Sequence, residues 1–169
     1  FIPILLNQPT LEPSPISPNV NSSLYCKHPG FAIPDNDPNG IEDYLEINDP
    51  RFIVNIDTWI NLSHTWVGDL VVQLIHQPSG TSLTLIDRPG YPENADGCNG
   101  DDIISILDDE ISSPVENKCA AFSPSIGGIY KPQQPLSEFA GETVGGTWIL
   151  RVSDQSRGDV GRLNDWCLF

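Results

Sequence analysis

Carboxylates gathered in turns are the most reactive chemistry this sequence offers. Asp96-Gly97-Cys98-Asn99-Gly100-Asp101-Asp102, running on to Asp108-Asp109-Glu110, packs six carboxylates into fifteen residues. Like charges this close raise one another's pKa unless a cation or solvent separates them. Calcium accepts roughly six to eight oxygens in flexible geometry, which makes Asp101, Asp102, Asp108, Asp109 and Glu110 candidate ligands. A solvated acidic loop is the alternative. The spacing does not fit an EF-hand. A second candidate set joins Asp69 to Asp154 and Asp159, whose turns can meet at one end of a β structure.

Hydrolytic chemistry needs a nucleophile, a base and an orienting group. Of the histidines His28, His64 and His76, only His64 has a suggestive setting, beside Thr65 and near Asp69. No Gly-x-Ser-x-Gly and no His-Glu-x-x-His occurs. The sequence is therefore read as non-catalytic, with no catalytic residues assigned.

Four cysteines, Cys26, Cys98, Cys119 and Cys167, lack Cys-x-x-Cys spacing, which points to two disulfides in an oxidising compartment. Three pairings are open. The expected one closes the acidic loop with Cys98–Cys119 and ties the folded part together with Cys26–Cys167. These bridges are worth about 3 and about 5 kcal/mol as upper values. With 23 acidic against 8 basic residues the net charge is −15, which argues against nucleic acid or anionic lipid as a partner. No apolar run is long enough to span a membrane. There is no Met and no signal peptide, so a mature or excised piece, secreted or displayed at a cell surface, is expected.

The elements that must position these groups are short and separated by turns. Residues 1–22 combine an apolar stub with Pro9, Pro13, Pro15 and Pro18, the composition of an extended linker or of an edge segment. Residues 23–169 form the expected domain. Phe52, Val54, Ile56, Ile60 and Leu62 share one parity and predict a half-buried strand. Leu70 to Ile75 reads as a strand covered on both faces. Pro78-Ser79-Gly80-Thr81 reads as a turn into Leu83–Ile86. Trp148, Leu150 and Val152 alternate, and Leu163, Trp166 and Leu168 close the chain in a last strand. The one helix candidate, Asp102 to Ile111, is equally an irregular loop. Trp148 and Trp166 are expected as core anchors with hydrogen-bonded indoles. The pattern predicts an all-β sandwich.

Five strings in order resemble a known family. They are Ala32-Ile33-Pro34-Asp35-Asn36 with Gly40-Ile41; His64-Thr65-Trp66-Val67-Gly68-Asp69-Leu70; Pro78-Ser79-Gly80-Thr81; Pro135-Leu136-Ser137-Glu138-Phe139 with Gly141 and Gly145-Gly146-Thr147-Trp148; and Gly158-Asp159 with Gly161-Arg162-Leu163-Asn164-Asp165-Trp166. Over residues 24–169 the chain resembles the P domain of the subtilisin-like proprotein convertases and related bacterial secreted proteases. The cysteine-bracketed acidic insertion looks bacterial in type.

That resemblance implies a jelly-roll-type, galactose-binding-like sandwich of about eight or nine strands, with structural calcium. It further implies a non-catalytic accessory role toward an adjacent catalytic domain, and a structural turn position for His64. The alternative is an extracellular carbohydrate- or protein-binding module, which would need Trp59, Trp66, Tyr91 and Tyr130 to form one platform.

Overall fold

The computed structural model describes residues 23–169, so the linker or edge segment expected over 1–22 lies outside the described residues. Ten strands follow in chain order: β1 Tyr25–Lys27, β2 Phe31–Ile33, β3 Ile41–Ile47, β4 Thr58–His64, β5 Leu70–His76, β6 Thr81–Asp87, β7 Ile103–Leu107, β8 Ile126–Tyr130, β9 Gly146–Asp154 and β10 Gly161–Leu168. Among the described residues helix is confined to three short 3-10 turns. The count exceeds the expected eight or nine because two three-residue strands, β1 and β2, lie along opposite ends of β10.

The strands form two sheets. The larger runs β1-β10-β4-β7-β8, with β2 also on β10, and the smaller runs β3-β9-β5-β6. All pairings are antiparallel except β7 with β8. The facing sides meet in one core. Ile60, Leu62, Ile103, Leu163 and Trp166 come from one sheet, and Val72, Leu74, Leu83, Trp148 and Leu150 from the other. Each of these side chains contributes roughly 1.5–3 kcal/mol or more by leaving water. Both core tryptophans place their indole N–H: Trp148 Nε1 donates to the Val144 carbonyl at 3.0 Å and Trp166 Nε1 to Asp43 Oδ2 at 2.8 Å.

Cys26 is joined to Cys167 and Cys98 to Cys119. The first bridge links directly opposed residues of β1 and β10.

Three sequence expectations need correction. The strand predicted from Phe52 begins only at Thr58. Over 52–57 the burial does not alternate: Ile53 and Ile56 are buried while Phe52 and Val54 are exposed, and only Phe52 is paired there, through an isolated bridge to Thr143. β5 alternates, with Leu70, Val72, Leu74 and His76 buried and the residues between them half-exposed, so it is not covered on both faces. The segment read as helix or loop, 102–111, contains strand β7, placed beside β4 by five backbone pairs.

Candidate functional site: a carboxylate cluster at one end of the sandwich

Strand pairing gathers residues that are far apart in sequence. Leu70 is opposite Asp154 across β5 and β9, and Gly161 is opposite His64 across β10 and β4. The last residue of β4, the turn before β5, the last residue of β9 and the loop into β10 therefore share one end of the fold. The turn Val67–Asp69 is tight because Gly68 lies against the acidic loop, where a Cβ would come 2.3 Å from the Cys98 amide nitrogen. Gly68 N donates to the Cys98 carbonyl at 2.9 Å and Val67 N to the Gly100 carbonyl at 3.0 Å. The bridged loop and the turn thus form one unit.

Asp69 is the electrostatic centre of this end. It is 4% exposed, yet its carboxylate accepts no hydrogen bond from any described residue. Its pKa is pushed up to about 6, first by burial and then by Asp154 and Asp159, with His64 and Arg88 opposing. Asp154, fully buried, accepts from Ser156 N at 2.9 Å and pairs with His64 Nε2 at 3.2 Å. Asp159 accepts from the Thr65 hydroxyl at 2.8 Å. Asp102 borders the cluster, accepting from His64 N at 3.1 Å and from the Ser123 hydroxyl at 2.6 Å. Asp101 beside it is exposed.

The remaining predicted ligands lie elsewhere. The five residues of β7 separate Asp101 and Asp102 from Asp108, Asp109 and Glu110, a span of roughly 17 Å. Asp109 is already used, accepting from Leu136 N at 2.9 Å and Ser137 N at 2.7 Å. Asp108 accepts from Glu110 N at 2.7 Å. The fifteen-residue acidic segment is thus divided between two ends of the molecule. Its second half faces Asp57, whose pKa is pushed up to about 6 by burial and then by Asp108, Glu110 and Asp109. Sequence reasoning missed Asp57, which looked like the solvent side of a strand. It also missed Glu116, pushed up to about 7 chiefly by burial. Among the described residues no three His, Cys, Asp or Glu side chains converge closely enough to hold a metal ion unaided.

All three histidines pair with carboxylates: His28 Nδ1 meets Asp165 Oδ1 at 2.6 Å near the surface, and the pairs of the buried His64 and His76 lack a triad arrangement. His64 Nδ1 is bonded to the Trp66 carbonyl at 2.8 Å and Nε2 to Asp154, so both ring nitrogens are occupied. A Cβ on Gly161 would lie 2.3 Å from the His64 ring, so the imidazole packs on bare backbone. His76 meets Ser79 Oγ at 3.2 Å and Glu142 Oε2 at 2.7 Å, but both through Nδ1. A triad needs serine and carboxylate on opposite ring nitrogens. His76 is also stacked on Trp148, with ring centroids 4.3 Å apart.

The four aromatics of the alternative reading are divided. Trp66 donates its indole N–H to the Asp96 carbonyl, and Tyr91 lies under the Arg88 guanidinium, both at the 88–97 loop. Trp59 and Tyr130 belong to β4 and β8.

Comparison with known proteins adds a family. Residues 53–169 match the family described as the proprotein convertase P-domain. A calcium-dependent protease of Trichormus variabilis is 28% identical over 133 residues, covering 78% of this chain and 16% of that protein. A calcium-dependent protease of Nostoc sp. is 27% identical over 135 residues with the same coverage. Among solved structures, the serine protease of Aeromonas sobria in complex with a chaperone superposes with a TM-score of 0.54 at 16% identity. That match covers 87% of this chain and 26% of the protease. The same serine protease solved alone gives 0.51 at 15% identity. The chain spans about a sixth of the length of the curated relatives it matches.

Proposed function

The chain belongs to the proprotein convertase P-domain family, and from that premise we propose that it is a non-catalytic, calcium-binding accessory module of a secreted serine protease, stabilising or regulating the catalytic domain joined to it. The observation that carries the calcium assignment is Asp69, beside the buried Asp154 and near Asp159. This residue is 4% exposed, and its carboxylate has no hydrogen-bond donor among the described residues and keeps a small opening to solvent. Burying an ionised carboxylate costs several kcal/mol unless it is paired or coordinates a cation. Asp69, Asp154 and Asp159 would hold the ion, with Asp101 and Asp102 on the rim. Calcium suits this place because it also takes backbone carbonyls and waters, so three converged carboxylates are not required. When bound, the ion supplies positive charge that ties the starts of β5 and β10 to the end of β9. The positions of Asp108, Asp109 and Glu110 favour a local structural role.

The accessory role is supported by the two occupied histidines and by an apolar strip on the outer face of the larger sheet. Trp59, Ile106 and Ile129 stand opposite one another across β4, β7 and β8, flanked by Ile104. Ile104 and Ile129 are 43% and 48% exposed. Apolar side chains clustered outward mark contact surfaces, and an adjoining protease domain fits this one. Two disulfides suit an extracellular setting.

Calorimetric titration of the calcium-free chain with calcium tests the reading. Saturable heat and a rise in melting temperature, both lost in chelator, are expected. Absence of heat together with an unchanged melting temperature would remove calcium from the account.

A further inference from the structure

The outer face of the smaller sheet carries a second set of organised polar groups, away from the carboxylate cluster. Backbone register aligns Glu42 of β3, Arg151 of β9, Gln73 of β5 and Thr84 of β6 in one row across four strands. Their side chains are linked along the row. Arg151 Nε donates to Glu42 Oε1 at 2.8 Å, its Nη1 reaches Gln73 Oε1 at 3.5 Å, and Gln73 Nε2 donates to the Thr84 hydroxyl at 3.3 Å. The guanidinium therefore lies flat on the sheet and stays 38% exposed. The neighbouring row on the same strands is Tyr44, Ile149, Ile75 and Ser82, in which Ile149 is buried at 8% exposure, Ile75 is half-buried and Tyr44 is the exposed apolar group. Tyr44 is 48% exposed and donates its hydroxyl to Glu42 Oε2 at 2.5 Å.

At the β3 end both rows run into a cleft of about 480 Å³ lined by Pro38, Asn39, Gly40, Glu42, Tyr44 and Arg151. The cleft wall is fixed in place. Asp37 Oδ1 accepts from Asn39 N at 2.9 Å and from its Nδ2 at 3.1 Å. At Gly40, φ is +63° and a Cβ would lie 2.0 Å from the Val152 carbonyl, so the turn sits directly on β9.

We propose that this cleft and the sheet face continuing from it bind a neutral oligosaccharide. A pyranose ring is amphipathic, with a C–H face for the exposed Tyr44 ring and an edge of hydroxyls for the row Glu42, Arg151, Gln73 and Thr84. A row that offers the acceptor Glu42, the donor Arg151 and the two-way groups Gln73 and Thr84, already held by one another, suits hydroxyls. Glu42 is kept ionised, its pKa lowered first by the Tyr44 hydroxyl and then by Arg151, so it remains an acceptor. An anionic ligand is disfavoured because Glu42 already neutralises Arg151 and the chain carries −15. The rows run across the strands, so a polypeptide adding along the edge of β3 would not follow them. This inference stands independently of the accessory role.

The test is titration of the isotopically labelled chain with cellohexaose, laminarihexaose and N,N′-acetylated chitohexaose, followed by amide chemical shifts and calorimetry. At least one should give saturable shifts in β3, β9 and β5. Tyr44→Ala should weaken that binding by about tenfold, and Gln73→Ala measurably, with melting temperatures close to the parent's because both side chains face solvent. The proposal is overturned by no saturable response to any of the three sugars. It is equally overturned by shifts confined to other loops, or by affinity that Tyr44→Ala leaves unchanged.

Discussion

Replacing Asp69 by Asn should make the calcium-free chain more stable and the calcium-loaded chain less so. Asp69 is buried and receives no donor, and its pKa stands at about 6 against an ordinary 3.8. Below pH 4 both folded and unfolded chains hold the proton and nothing is lost. Between about 4 and 6 the unfolded chain releases it while the folded chain keeps it, so stability falls as pH rises. Above 6 the full penalty is present. A difference of about two pH units corresponds to about 3 kcal/mol. Solvent at the rim, and the polarity of the buried Asn that replaces the carboxylate, reduce the expected gain to roughly 1–2 kcal/mol. That is a rise of roughly 3–6 °C in melting temperature for a chain of this size.

In calcium at about a hundred times its dissociation constant, the parent should gain about 2.7 kcal/mol and the variant far less. Thermal melts of both proteins, in chelator and in calcium at pH 7.5, read all four values. The reasoning fails if Asp69→Asn is destabilising in chelator, or if calcium raises its melting temperature as much as the parent's.

Three further outcomes follow from the packing. Trp166→Phe removes the donor to Asp43 Oδ2 in the core and should cost on the order of 3 kcal/mol in urea unfolding, whereas Asp43→Asn, which keeps an acceptor, should cost less. Glu116→Gln should leave stability at pH 4 nearly unchanged and raise it by roughly 1–2 kcal/mol at pH 8. The folded Glu116 carboxyl holds its proton to about pH 7, and Gln keeps the acceptor for the Asp87 amide while losing the charge; an equal effect at both pH values would exclude burial as the cause. Gly68→Ala drives a methyl into the Cys98 backbone and should cost more than about 2 kcal/mol while weakening calcium binding, seen by melting and calorimetry together.

The sequence showed the family strings and the strands whose alternation is clean, while of the three cysteine pairings it left open the favoured one is the one formed. β9 and the hairpin of β5 and β6 lie where the pattern put them. β7 was hidden because Ile103-Ile104-Ser105-Ile106-Leu107 is a short apolar run, and periodicity alone does not separate such a strand from a buried helical turn. Leu163 and Trp166 both face inward although three residues apart, since the ladder shifts register between Leu163 and Asp165.

The candidate site was legible only as types. Asp69, Asp154 and Asp159 stood out as carboxylates in turns, but their meeting depends on Leu70 lying opposite Asp154, a pairing of strands some eighty residues apart. The same non-local register assembles the row from Glu42 to Thr84, which no local pattern announces.

The central claim is that this module sustains a protease domain through a calcium-held fold. It is tested most directly by the half-life of activity at elevated temperature, for the protease carrying this chain with residues 23–169 present, deleted, or bearing Asp69→Asn. With the module intact, calcium should lengthen the half-life severalfold, and both deletion and Asp69→Asn should remove most of that gain. Equal half-lives for all three proteins in calcium would contradict the account.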